Sequence, residues 1–189
     1  MLGKLGLIPD QTEAVEEMFD VLDNLCPRLA ESMPLALNKA KALASRLHQR
    51  MPVIYGAGIL SPVAYRWKTQ LNENSKTWAL AEAIPELNHN SIAGYAHPEE
   101  IKARASIVML NAPSLHKRLL ARYVATGELL DRSGIARTTV NAEGQSELSQ
   151  VMSLVLLGDW TSYYLAILNG QDPTPVPSID YLKDRLKEL

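Results

Sequence analysis

One cysteine, Cys26, and one phenylalanine occur in 189 residues. A single thiol cannot close an intramolecular disulfide, so no disulfide framework builds this fold. Cys26 falls in a helical apolar pattern with Phe19, Leu22 and Leu29, which predicts a buried core thiol rather than a reactive nucleophile. Charge of one sign is also scarce: 19 Lys and Arg stand against 21 Asp and Glu, for a net charge of −2. That balance gives no basic surplus for nucleic acid and no polybasic block for a membrane surface. Long apolar runs are missing too. The stretch near Val151–Leu157 is too short to span a bilayer, and the opening MLGKLGLIPDQ has no signal-peptide core. A cytoplasmic protein with no nucleic-acid and no membrane partner is the expectation. His48, His89, His97 and His116 show no ligand spacing, and no HExxH, GxSxG or P-loop pattern occurs; no metal and no cofactor are expected.

What is present is an ordinary globular composition, 47% hydrophobic and 21% charged, and enough chain for one domain with a sizeable core. Apolar residues from Asp10 to about Leu29 recur at helical spacing, with Pro27 near the end. Asn38 reads as an N-cap for a helix to about His48, with Ala40, Leu43, Ala44 and Leu47 inward. Val53-Ile54-Tyr55 reads as a buried strand ending at Gly56, and Ser61-Pro62 as the cap and first turn of a helix to about Asn74. Strands are predicted over 77–83, 104–111 and 135–140, with a helical turn or short helix over 86–93. Ser114 is expected to cap a helix to about Leu130. A long helix runs from about Gln145 to Leu168 and stops at Asn169-Gly170. A proline-rich connector, DPTPVP, then leads to Ser178 as the cap of a last helix, Ile179–Leu189. Strands alternating with helices predict an α/β fold, a three-layer α/β/α sandwich with a parallel sheet of four strands and room for a fifth. Ligands of such sheets bind beyond the carboxyl ends of the strands, which is where Gly56, the segment after Ala83 and Asn111 would lie.

GAGILS (56–61) is similar to a dinucleotide fingerprint but has Ser61 in place of the third glycine. Two other readings stay open: glycines that only permit a tight strand-to-helix bend, and an anion seat at the helix start made by Ser61 and free backbone N–H groups.

Two clusters, Asn72-Glu73-Asn74 and Asn88-His89-Asn90, each set an ionisable residue between asparagines. Taken singly they read as solvated helix ends. Together they make a candidate acid–base site. Arg66, Gln70 and Glu73 share a helix face, and His89 belongs to a segment expected at the ligand-binding edge of the sheet.

The stretches AYRWKTQLNENSK (64–76), PELNHN (85–90), GDWTSYYLAILNGQDPTPV (158–176) and IDYLKDRL (179–186) resemble, in this order, the bifunctional phosphoglucose/phosphomannose isomerase family. The match is to its C-terminal sugar isomerase (SIS) domain. It divides the chain into an N-terminal helical segment, 1–37, and a C-terminal-type SIS domain, 38–189. The resemblance implies a flavodoxin-like SIS fold and metal-independent interconversion of glucose 6-phosphate or mannose 6-phosphate with fructose 6-phosphate. It puts the family's base, which moves a proton between C1 and C2 through a cis-enediol, on Glu73. It puts the ring-opening histidine on His89, supplied across a homodimer by the neighbouring subunit. The family's C-terminal lysine, which assists at the ring oxygen, falls on Lys183, with Lys187 one turn away. Family members carry a first SIS domain that grips the phosphate, and only the second is recognisable here. An N-terminal SIS domain or partner chain is therefore expected, unless the module is non-catalytic and serves sugar-phosphate binding or dimerisation.

Overall fold

The computed structural model describes residues 3–188; Met1, Leu2 and Leu189, the last residue expected in the final helix, lie outside them. The chain runs α1 (Thr12–Leu29), α2 (Lys39–Leu47), β1 (Met51–Ala57), α3 (Ser61–Glu73), β2 (Leu80–Ile84), α4 (Glu99–Arg104), β3 (Ala105–Asn111), α5 (Lys117–Arg132), β4 (Ala136–Asn141), α6 (Glu147–Leu168) and α7 (Pro177–Lys187). The four strands form one parallel sheet in the order β2-β1-β3-β4. This is the flavodoxin-like order without its fifth strand.

The connections fix the layers. From β1 the chain steps outward to β2 through α3, and from β3 it steps the other way to β4 through α5. Right-handed crossovers in opposite directions put α3 and α5 on opposite faces. α6 joins α3 on its face and packs against α1, α2 and α3. By length and composition α6 could cross a bilayer; here it is the central helix of that layer. The central strands β1 and β3 are buried almost throughout, as a sheet covered on both faces requires.

Trp67 on α3 locks that layer. It is 1% exposed, and its Nε1 donates to the Leu154 carbonyl of α6 at 2.9 Å. The helices touch there because position 158 is glycine: a Cβ would lie 2.5 Å from Trp67 Nε1.

Several expectations are met closely. Asn38 caps α2, its side chain accepting from the Lys41 N–H, and Ala40, Leu43, Ala44 and Leu47 are buried. Others are corrected. Cys26 is exposed, not a core thiol, and so is Phe19, seven residues before it on the same side of α1. α1 rests on the body through a narrow stripe in which only Leu25 and Leu29 are buried. Ser61, Ser114 and Ser178 do not cap. A 3-10 turn, Gly58–Leu60, feeds straight into α3. His116 caps α5, its Nδ1 accepting from the Arg118 N–H. α7 starts on Pro177 after an uncapped Val176. The second strand lies three residues later than its predicted start, and the short α4 was not anticipated.

Candidate active site

The β1-to-α3 turn shows what the glycine loop does. A Cβ on Gly56 would sit 2.3 Å from the Leu60 carbonyl oxygen, and Gly58 has φ +53°. Both glycines serve the tight bend.

Beyond β4, the start of α6 already carries an anion. Glu17 of α1 accepts hydrogen bonds from the backbone N–H groups of Gln145 and Ser146, next to the Ser146 cap of α6. Those N–H groups hold its carboxyl down to about 2. Gly144 allows the approach; a Cβ there would strike Ser149 Oγ at 2.3 Å.

Glu73 is the last residue of α3. Its neighbours are structural ties. Asn72 donates to the Thr77 carbonyl at 2.8 Å, and Asn74 donates to Ser162 Oγ of α6 at 2.9 Å. Lys76 donates to the Glu73 backbone carbonyl at 2.7 Å and to the Pro173 carbonyl at 3.3 Å. Asn169 holds Ser75 and Thr77 from the end of α6. The helix end is thus pinned on three sides while the Glu73 side chain faces solvent. Its predicted face-mates point elsewhere. Arg66 pairs with Asp159 of α6 at 3.4 Å, and Gln70 turns a buried Oε1 inward.

The second cluster repeats the plan. Asn88 donates to Thr126 Oγ1 of α5 at 2.9 Å, and Asn90 donates to Glu86 and accepts from the Ser91 N–H. His89, between them, is exposed at the end of a 3-10 turn, Glu86–His89. The following 3-10 turn, Ser91–Ala96, is fastened to the sheet by Tyr95, whose hydroxyl meets that of Tyr55 on β1 at 2.9 Å. Burial first, then this hydrogen bond, pushes the Tyr55 phenol up, so the pair stays protonated. Glu82, the register partner of Tyr55 on β2, turns a buried Oε2 towards the same layer. Nothing in the sequence pairs residues 55 and 95; the register of β1 and the turn after β2 bring them together.

Glu73 and His89 lie at opposite ends of the sheet. α3 returns from the end of β1 to the start of β2, so Glu73 sits where strands begin, while His89 follows the end of β2. A five-residue strand separates those ends by roughly 16 Å. Lys183 lies on exposed α7, whose connector leaves α6 at the Glu73 end. One chain therefore gathers Glu73 and the root of α7 at one end and places His89 at the other. Among the described residues, no group of three His, Cys, Asp or Glu side chains is arranged to hold a metal.

Comparison with known proteins fits this architecture. The chain is 40% identical over 98% of its length to a bifunctional phosphoglucose/phosphomannose isomerase from Caldicellulosiruptor bescii. It is 34% identical over its whole length to the protein of the same name from Aquifex aeolicus. In both cases it spans 55% of the relative, so the chain has about half the length of the curated relatives it matches. A glucose-6-phosphate isomerase-like protein from Thermus thermophilus superposes with a TM-score of 0.69 at 26% identity, over 89% of this chain and 55% of that one. Residues 36–186 match the family described as the bacterial phospho-glucose isomerase C-terminal SIS domain, and the chain belongs to that family.

Proposed function

We propose that this chain is the C-terminal half of an aldose–ketose isomerase that interconverts glucose 6-phosphate or mannose 6-phosphate with fructose 6-phosphate in the cytoplasm. Residues 38–189 are its SIS domain, and residues 1–37 are an N-terminal segment whose helix α1 braces α6. The observation that carries this reading is the free Glu73 carboxylate on a helix end pinned by both flanking asparagines. A solvent-facing carboxylate carried on a fixed helix end can move a proton between adjacent carbons of a bound sugar without any shift of the backbone. In this reaction Glu73 takes the proton from one of C1 and C2 and returns it to the other through a cis-enediol. His89 opens the sugar ring, and Lys183 assists at the ring oxygen. No metal takes part. His89 reaches Glu73 from the neighbouring subunit of a homodimer, a reading supported by their separation across the sheet of a single chain. An N-terminal SIS domain, in the same polypeptide or a partner chain, grips the phosphate.

The test is a coupled assay with fructose 6-phosphate, using the chain joined to or mixed with an N-terminal SIS domain. Glu73→Gln is expected to cut turnover by about 10²–10⁴-fold with little change in substrate binding. Wild-type turnover by that variant overturns the assignment, and sedimentation of the same protein as a monomer overturns the shared site. The separation of Glu73 and His89 also favours a second reading for the chain alone: a module that binds sugar phosphate or dimerises without catalysis. Calorimetric binding of hexose 6-phosphates without isomerisation by the assembled protein would establish it.

A further inference from the structure

A polar cleft of about 410 Å³ opens at the strand-start end of the sheet, between the end of α2 and the first residues of β3 and β4. Arg46, His48, Arg50 and Arg137 line it together with the hydroxyl residues Ser106 and Thr138, and no carboxylate does. In a chain with a net charge of −2, two guanidiniums and an imidazole on one cleft are a local concentration that needs a cause; the Arg137 guanidinium turns instead to the α5 face, against Gly127 and Asp131. The negative end of the α2 dipole accounts for Arg46 and His48. It does not account for Arg50, which leads into β1.

The guanidiniums are incompletely used within the chain. Arg46 makes one long contact, 3.4 Å, to Thr138 Oγ1. Arg50 gives one N–H to the Ala103 carbonyl at 2.6 Å. Arg137 commits Nε and Nη2 to Asp131 at 2.8 and 2.7 Å, which neutralises it and fixes its plane. The surplus charge thus rests on Arg46 and Arg50, held by an anchored framework. Ser106, only 4% exposed, adds a hydroxyl from the rigid start of β3.

A second pocket, of about 260 Å³, adjoins the first and shares Arg46 and Thr138 with it. Its character is different. Thr139, Asn141 and Glu143 line it, and Glu143 is already bridged by Arg28 and Lys39. One end of the combined groove suits a compact anion, and the other, walled by Leu25, Leu43 and Leu157 as well as Thr139 and Asn141, and with Glu143 already paired, suits an uncharged body of mixed hydroxyl and apolar character.

The geometry points to a site for a phosphate monoester with a hydroxylated body, its phosphoryl group held by Arg46 and Arg50 and its body directed past Thr138 towards Asn141 and Glu143. Guanidinium forks match phosphoryl oxygens bidentately, and strand-start hydroxyls complete the set. The site is separate from Glu73. Both are at the strand-start end, but Glu73 is beside β2 and the cleft is beside β4, three strand spacings or roughly 14 Å across the sheet. The site does not depend on the role assigned to Glu73.

Inorganic phosphate and glycerol 3-phosphate are the probes, added to the whole chain and followed by backbone-amide NMR shifts. Saturable movement of the amides of Arg50, Ser106 and Thr138, with those near Glu73 and His89 unmoved, is expected. Glycerol 3-phosphate should also move Asn141. Arg46→Ala combined with Arg50→Ala should weaken both probes by about 10-fold or more, whereas Glu73→Gln should leave them unchanged. Saturable shifts confined to the neighbourhood of Glu73, or no shift at about 20 mM phosphate, well above the strength that two charge-assisted contacts imply, overturns the site. Unchanged affinity in the folded double variant overturns it as well. If that variant does not fold, the amide shifts of the wild-type chain decide alone.

Discussion

α6 and α7 are consecutive helices, and they meet water in opposite ways. α6 is apolar nearly all round and buries residues along its whole length, from Ser149 to Ala166. Even its hydroxyls are accommodated: Thr161 and Ser153 donate back to carbonyls of their own helix at 2.7 and 2.8 Å. α7 carries an apolar stripe of Ile179, Leu182 and Leu186 at helical spacing, yet it has no buried residue. A helix apolar on every side is made for an interior, and a one-sided helix is made for a surface. α6 supplies stability inside this chain, whereas the stripe on α7 contributes almost none of it.

Substitutions can break that contrast. The largest effect is expected from Trp67→Ala, which empties the joint between α3 and α6 and removes the side-chain hydrogen bond to the Leu154 carbonyl. It should cost about 3–5 kcal/mol in urea unfolding. A loss under about 1 kcal/mol, the range of an ordinary surface change, would mean that α6 is not the keystone. The next concerns Glu17, which ties α1 to the start of α6. Its folded carboxyl is held at about 2 against an ordinary 4.5, chiefly by the Gln145 and Ser146 N–H groups. A depressed acid stabilises the fold above its unfolded value, and that contribution disappears as pH falls from about 4.5 towards 2. Glu17→Gln should therefore lower the urea midpoint at neutral pH, and the gap from wild type should close through that window. A pH-independent gap would refute the linkage. The smallest effect belongs to α7. Ending the chain after Val176 should change stability by about 0.5 kcal/mol or less, while, under the proposed isomerase function, the loss of Lys183 that goes with it should depress turnover. A loss of several kcal/mol would show that α7 belongs to the fold after all.

The sheet and most helices were legible in the sequence because each had a local cause. β1 and β3 are short apolar runs, α2 has both its cap and its stripe, and α6 ends on Asn169-Gly170. What was not legible depended on neighbours. Cys26 and Phe19 match the helical period of α1, but α1 packs on one side too narrowly to cover them. The capping serines failed because proline, histidine or a 3-10 turn had already set the helix starts. The asparagines around Glu73 and His89 looked like polar punctuation; their partners Ser162 and Thr126 are 88 and 38 residues away from Asn74 and Asn88. The basic cleft draws on residues from 46 to 137 and needs the parallel register of β3 and β4 to exist.

The Glu17 tie has a wider meaning for the sheet. In open α/β folds, the mouth after a strand is where a helix start receives an anion from outside. Here the chain brings its own counter-ion to the β4–α6 mouth, threaded in from α1. A phosphate arriving there meets a position that is already filled and neutralised. The fold has, in effect, internalised a ligand, converting a binding mouth into a hinge-pin.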